Sequence, residues 1–281
     1  MDTAQLRRQD FDENGYIVIK NAFTEEEIDK IRSATLESLA SRRAQGKGFT
    51  SDKNASGEAY FGLPELLSVS ELAALDYVAL HPKITNLVQQ LIAGPVCYFG
   101  DSTAQIGTGD RGFHKDNVDR SDPNGADWQS NYDVLRLAIY TQDTYSYSGG
   151  MQLRMKSHLC ANRFDGNPKN IRLKKGDILV WKLTTTHSGN TLLPRIFPEF
   201  SRILPRITSY LPSWLFRPYE SERVALFMSF GALNSTHTKN YLRYLENRSD
   251  TYAFSPKEFQ AHLAQQRNIA LLPLQKTKSV H

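Results

Sequence analysis

The chain has 281 residues, 34 of them basic and 30 acidic, for a net charge of +4. Its length and 40% apolar content suit a folded globular protein and argue against disorder. The near balance of charge argues against nucleic acid as a partner, and no apolar run is long enough to span a bilayer.

Cys97 and Cys160 have no CxxC spacing and read as reduced thiols, not a disulfide. The first residues, Met1 to Arg8, lack the apolar run of a signal peptide, so the expected location is cytoplasmic.

The first element expected is a short β-branched strand, Gly15-Tyr16-Ile17-Val18-Ile19-Lys20, turned by Asn21 and Ala22. Thr24 with Glu27 three residues on is a capping box, and Phe23 with Ile28 a hydrophobic staple. A helix is therefore expected from about Glu25 to Ser41, with Ile28, Ile31 and Leu39 on its buried side. From Arg42 to Gly62 the periodicity vanishes, which predicts a long loop. A second helix should run from Pro82 to about Ala93 and stop at Gly94-Pro95. After Pro95 the pattern changes to short strands at Val96–Ile106, Val134–Thr141, Gly150–Met155, Asp177–Leu183 and Val224–Phe230. Ser255-Pro256-Lys257-Glu258 opens a further helix to about Gln266, and residues 276–281 read as a polar tail. Helices followed by many short strands predict a mainly β sandwich or jelly roll with helices packed outside.

Chemistry enters at Gly112-Phe113-His114-Lys115-Asp116-Asn117. His114 and Asp116 are two apart, and alternate side chains of a strand share a face. One more imidazole would give two histidines and a carboxylate, a set that suits non-haem Fe(II) and leaves positions open. Of the other histidines, His81 and His262 belong to helix ends or surfaces, His281 is terminal and His237 lies in a polar turn. His187 follows the strand ending at Leu183, where a rigid element can aim it. His158 is the second candidate.

Taken together, these stretches resemble the phytanoyl-CoA dioxygenase family of Fe(II)- and 2-oxoglutarate-dependent oxygenases. The resemblance rests on Asp12 to Ile19 with Phe23 to Ile28, on His114-Lys115-Asp116, on Leu137 to Asp143 followed by Gly149-Gly150, and on Ser157-His158. Leu173 to Asp177 followed by His187, and Arg223 opening the last strand, complete it. It implies a single domain over 1–281 built as a double-stranded β-helix, a jelly-roll barrel. It implies His114, Asp116 and His187 as iron ligands, with His158 structural. Arg223 would anchor 2-oxoglutarate through a two-pronged grip on a carboxylate. Gln105 and Ser188 are expected beside the co-substrate, and Tyr140 in the cavity. The implied co-substrates are 2-oxoglutarate and O2. The implied reaction is hydroxylation of an aliphatic C–H of a small or lipid-like substrate, with release of succinate and CO2. The alternative is a jelly-roll protein that binds a metal or ligand without turnover.

Three features depart from the family pattern. Met155-Lys156 stands where the family has proline-glycine before Ser-His. Ser188-Gly189 reverses the usual order after the distal histidine. An inserted segment at 191–220, with five prolines, separates His187 from Arg223. It reads as a lid-like elaboration or an oligomer contact, and its mix of arginines with apolar residues also fits peripheral contact with a membrane surface. A helical extension is expected over 240–281.

Overall fold

A computed structural model describes residues 3–51, 59–68, 75, 77–109, 112–196, 211–219, 222–248 and 253–275. Helix α1 (Thr3–Asn14) leads into β1 (Tyr16–Ile19) and α2 (Glu25–Ala44). The capping box forms as expected: the Thr24 amide donates to Glu27 Oε2 at 2.7 Å, and the Glu27 amide donates to Thr24 Oγ1 at 3.2 Å. Strands β2 (Phe49–Thr50) and β3 (Tyr60–Pro64) follow, then α3 (Pro82–Leu91), where the His81 side chain accepts from the Lys83 amide. The sheets are built from β4 (Val96–Gly107), β5 (Val134–Tyr140), β6 (Gly150–Met155), β7 (Asn167–Ile171), β8 (Ile178–Lys182), β9 (His187–Thr191) and β10 (Val224–Ala232). Helices α4 (Thr236–Asn247) and α5 (Glu258–Gln266) and strand β11 (Ile269–Leu271) complete the described chain.

An eight-stranded sheet runs β1-β8-β5-β10-β4-β3-β2, with β11 added in parallel beside the start of β4; a three-stranded sheet runs β7-β6-β9. This is the jelly-roll, double-stranded β-helix arrangement, with two facing sheets that do not close into a barrel. Both faces of the large sheet are buried, which is why its strands read as unbroken apolar runs and not as alternating ones. Leu135, Leu137, Ile139, Ile178, Val180, Leu226 and Met228 point outward and pack with Phe11, Ile28, Ile84 and Val88 of the helices. Ala138, Tyr140, Leu179, Trp181 and Ala225 point inward and meet Met151, Leu153 and Ile171 of the small sheet.

One irregularity matters for the site. The pairing of β10 with β4 slips between Met228 and Phe230, so Phe99, Gly100 and Asp101 bulge out of register. Gly100 lies at φ +74°, and a Cβ there would come within 2.3 Å of Phe254, so glycine is required for this turn of the strand. Bulges re-aim side chains, and this one turns Asp101 inward.

The structure corrects several expectations. The stretch read as a loop from Arg42 to Gly62 carries β2 and the start of β3, which pair with each other, and β3 pairs in turn with β4, far along the chain. A two-residue strand has no detectable period. Helix α1, β7 and β9 carry too few apolar residues to announce themselves. The C-terminal extension is not wholly helical: it starts earlier, at Thr236, and ends in β11. His237 sits in α4 and not in a turn; it is buried, with Nδ1 3.1 Å from Asp133 Oδ1. Residues 197–210 of the inserted segment and the tail 276–281 lie outside the described residues. The described ends of the insertion pair with each other, Arg195 donating its amide to the Leu215 carbonyl at 2.9 Å, and Ser148 bridges to Tyr219. Cys97 and Cys160 are both free thiols.

Candidate metal centre

The H-x-D stretch is fastened to β9 by the backbone. His114 and His187 exchange both amide–carbonyl bonds, at 3.0 and 2.9 Å, and the Asp116 amide donates to Leu183 O at 3.0 Å. Lys115, between the two candidate ligands, is buried, and its ammonium donates to the carbonyls of Ser157 and Thr184 at 2.5 and 2.6 Å. Burial with no carboxylate in hydrogen-bond reach lowers the Lys115 pKa to about 8. The lysine thus ties the ligand-bearing stretch to the turns on either side of it.

With the backbone held, three side chains converge. The ligand atoms of His114, Asp116 and His187 all lie within 4.8 Å of one another. His114 Nε2 is 3.5 Å from Asp116 Oδ1, and His187 Nε2 is 3.5 Å from Asp116 Oδ2. Each imidazole turns its Nδ1 to a backbone carbonyl, Gly112 O at 2.9 Å and Thr185 O at 3.0 Å. A carbonyl only accepts, so Nδ1 carries the proton and Nε2 presents a lone pair to the shared space, the arrangement a metal-binding histidine needs. Trp181 backs the His187 ring at a centroid distance of 5.3 Å.

Behind Asp116 lies a network that reading the sequence did not find. Arg136 Nη1 donates to Asp116 Oδ2 at 2.6 Å, and its Nη2 donates to Asp101 Oδ2 at 2.7 Å. Ser229 Oγ and Tyr241 OH also donate to Asp101, at 2.7 and 2.8 Å. Burial alone would raise the Asp116 pKa, but the charge of Arg136 outweighs it and holds the carboxyl well below the usual range. The available signal was a single charge inside the apolar run Val134-Leu135-Arg136-Leu137-Ala138.

The expected co-substrate residues divide. Arg223 is buried, donates from Nε to Gly149 O at 2.6 Å and from Nη1 to Gly107 O at 3.1 Å, and lies 5.3 Å from the centre of the Tyr140 ring. Gly149 must be glycine, because φ is +100° and a Cβ would meet the Arg223 side chain at 2.9 Å. Tyr140 is fully buried on the inward face of β5, and its hydroxyl has no hydrogen-bond partner among the described residues. Gln105 lines a cavity of about 150 Å³ that also touches Asp116, Arg136 and Phe227. Ser188 pairs with Gln152, on the face of β9 opposite to His187 and its partner Leu153. Its side chain is therefore turned away from the three ligand atoms.

His158, the second candidate ligand, stands apart from the three. It packs under Gly15, where a Cβ would come within 2.3 Å of the His158 ring, and its Nε2 is 2.9 Å from Asp12 O. Burial, with the nearby charge of Lys182, lowers its pKa to about 4. The unfolded chain then takes a proton near pH 6.5 that the folded chain refuses until about pH 4. Stability from this residue is complete above pH 6.5 and falls through that window, by about 3 kcal/mol in all. His158→Gln should flatten this part of the curve in urea melts recorded from pH 7 to 4. An unchanged slope would mean that other groups carry it.

The sequence matches the family model described as phytanoyl-CoA dioxygenase (PhyH) over residues 11–192. No curated protein matches it. Among solved structures it is similar to the epimerase SnoN, in complex with Fe3+, alpha ketoglutarate and nogalamycin RO. There the identity is 13% and the TM-score 0.61, over 91% of this chain and 93% of that one. It is similar to the alpha ketoglutarate dependent carbocyclase SnoK from nogalamycin biosynthesis at 15% identity and TM-score 0.56, over 99% and 94% of the chains. HygX from Streptomyces hygroscopicus, with nickel and 2-oxoglutarate bound, matches at 14% identity and TM-score 0.54, over 84% and 89%. At these identities the likeness is one of fold.

Proposed function

The chain belongs to the phytanoyl-CoA dioxygenase family, and from that premise we propose that it is an Fe(II)- and 2-oxoglutarate-dependent oxygenase. The observation that carries the reading is the convergence of His114, Asp116 and His187, with both imidazoles presenting Nε2. Two neutral imidazoles and a carboxylate kept ionised by Arg136 make a donor set that fits Fe(II). When bound, iron with 2-oxoglutarate and O2 would supply the oxidation of a C–H bond, with release of succinate and CO2.

The protein's own part is to bind, orient and exclude water. Two of the five N–H groups of Arg223 are used on Gly149 and Gly107, which fixes the plane of the guanidinium. The remaining donors, with the Tyr140 hydroxyl beside them, would take the far carboxylate of 2-oxoglutarate. Trp181, Leu153, Ala138 and Ala225 give that space dry walls. Hydroxylation is our reading of the outcome, because Asp116 supplies the carboxylate whose absence in related halogenases makes room for chloride. The neighbours include an epimerase and a carbocyclase, so product analysis decides between these outcomes.

The test is succinate formation from 2-oxoglutarate with Fe(II) and ascorbate, with and without candidate substrates. Slow succinate release without substrate is expected. No release, together with no iron binding, would favour a ligand-binding protein without turnover. Arg223→Lys is expected to raise the Kd for 2-oxoglutarate about 100-fold, since lysine cannot reproduce a two-pronged grip, while iron affinity stays close to that of the parent. Calorimetric titration measures both, and an unchanged 2-oxoglutarate affinity would assign the grip to another residue.

A further inference from the structure

The cavity beside Asp116 has two unlike walls. One is formed by the inward face of β2 and β3: Phe49 lies on Gly62, where a Cβ would come within 2.5 Å of its ring, and Tyr60 meets Phe49 edge-on at 5.9 Å. Gly62 thus lets the Phe49 ring lie against the sheet with its other face to the cavity. The other wall comes from β4 and β5, where Asp101, Thr103, Gln105 and Arg136 line the space.

Most of the charged groups of this lining are engaged within the protein. Arg136 binds both Asp101 and Asp116. Glu65 accepts from Tyr98 OH at 2.8 Å, and Arg248 donates to Tyr244 OH at 3.3 Å. Neutral groups are left to face a ligand. The side chains of Thr103 and Gln105 make no hydrogen bond to other described residues, and they lie two apart on β4, so they share the inward face. The cavity is partly open, and its volume, about 150 Å³, is of the order that admits a single six-membered ring. Arg223 and Tyr140 are not part of this lining, whereas Asp116 is.

We infer that this slot takes a single uncharged, polyhydroxylated six-membered ring, a cyclitol or a sugar unit, as the oxidised part of the substrate. The inference rests on the oxygenase reading for its chemistry, but not for the binding itself. Apolar ring C–H faces would lie on Phe49, and hydroxyls would pair with Thr103 and Gln105. A long acyl chain would leave these two polar groups buried and unpaired, which disfavours it. A free carboxylate would meet Asp101, Asp116 and Glu65 in this lining, which disfavours it.

Saturation-transfer NMR on the Zn(II)-loaded, 2-oxoglutarate-bound protein tests this with named probes: myo-inositol, scyllo-inositol, methyl α-D-glucopyranoside and methyl β-D-galactopyranoside, against octanoyl-CoA and octanoate. Transfer to at least one ring polyol, and none to the octanoyl chains, is the expected result. Thr103→Val, which keeps the shape and removes the hydroxyl, should weaken that polyol's Kd about tenfold, and Thr103→Ser should restore it. Phe49→Leu should weaken it by a similar factor. Binding of the octanoyl probes in place of the polyols, no transfer to any polyol, or a Thr103→Val affinity equal to the parent's would each overturn the assignment. The succinate assay runs beside it, so polyol binding without succinate would sink the oxygenase reading and leave the slot standing.

Discussion

Arg136→Met is expected to lower the unfolding free energy by about 2–4 kcal/mol, between the loss for an exposed pair and that for a fully buried one, because the three groups are partly buried. Two uncompensated charges would remain, because Arg136 is bonded to both Asp101 and Asp116. With the guanidinium gone, burial would push both carboxyls up toward protonation, and a protonated Asp116 is a poor metal ligand. The variant should therefore lose metal affinity as well as stability. Adding Asp101→Asn should recover a substantial part of the stability, since it removes one stranded charge, and little of the metal affinity, since Asp116 stays unpartnered. Urea unfolding and competition with an Fe(II) chelator measure the two effects. A loss below about 1 kcal/mol, the range of an exposed pair, would mean that the network is not closed in solution.

His187→Ala is expected to lower Fe(II) affinity and succinate formation by more than about 100-fold, above the usual effect of losing only an outer partner of a metal ligand. Its backbone bonds to His114 do not depend on the side chain, so the strand should stay paired. The hole left beside Trp181 should cost no more than about 2–3 kcal/mol of stability. Circular dichroism should show a folded protein, and added imidazole should restore part of the activity by occupying the hole. Iron affinity equal to that of the parent would remove His187 from the ligand set, and with it the oxygenase reading.

The legible parts of this chain were those whose signal is local. The capping box at Thr24 and Glu27, the proline start of α3, and the strands β4, β5, β6, β8 and β10 each carry their own periodicity or terminator. The set His114, Asp116, His187 and Arg223 was also readable, but through the resemblance to the family, which set His187 above His158 and singled out Arg223 among many arginines. What was missed has the opposite character. Strands β2, β3 and β9 exist because partners elsewhere hold them, and Ser188 could be placed next to His187 in sequence without revealing that it points to the other side of the strand.

The sequence by itself determined a mainly β fold with outer helices, since local patterning is written along the chain, and its resemblance to a family singled out the three side chains that converge. Only the tertiary structure decided that Arg136 stands between Asp101 and Asp116, that His158 belongs under Gly15, and that Phe49 and Gln105 line one cavity. The reason is that each of these meetings joins positions far apart in the chain, through sheet register and a strand bulge. Long-range pairing of that kind leaves no trace in the spacing of neighbours.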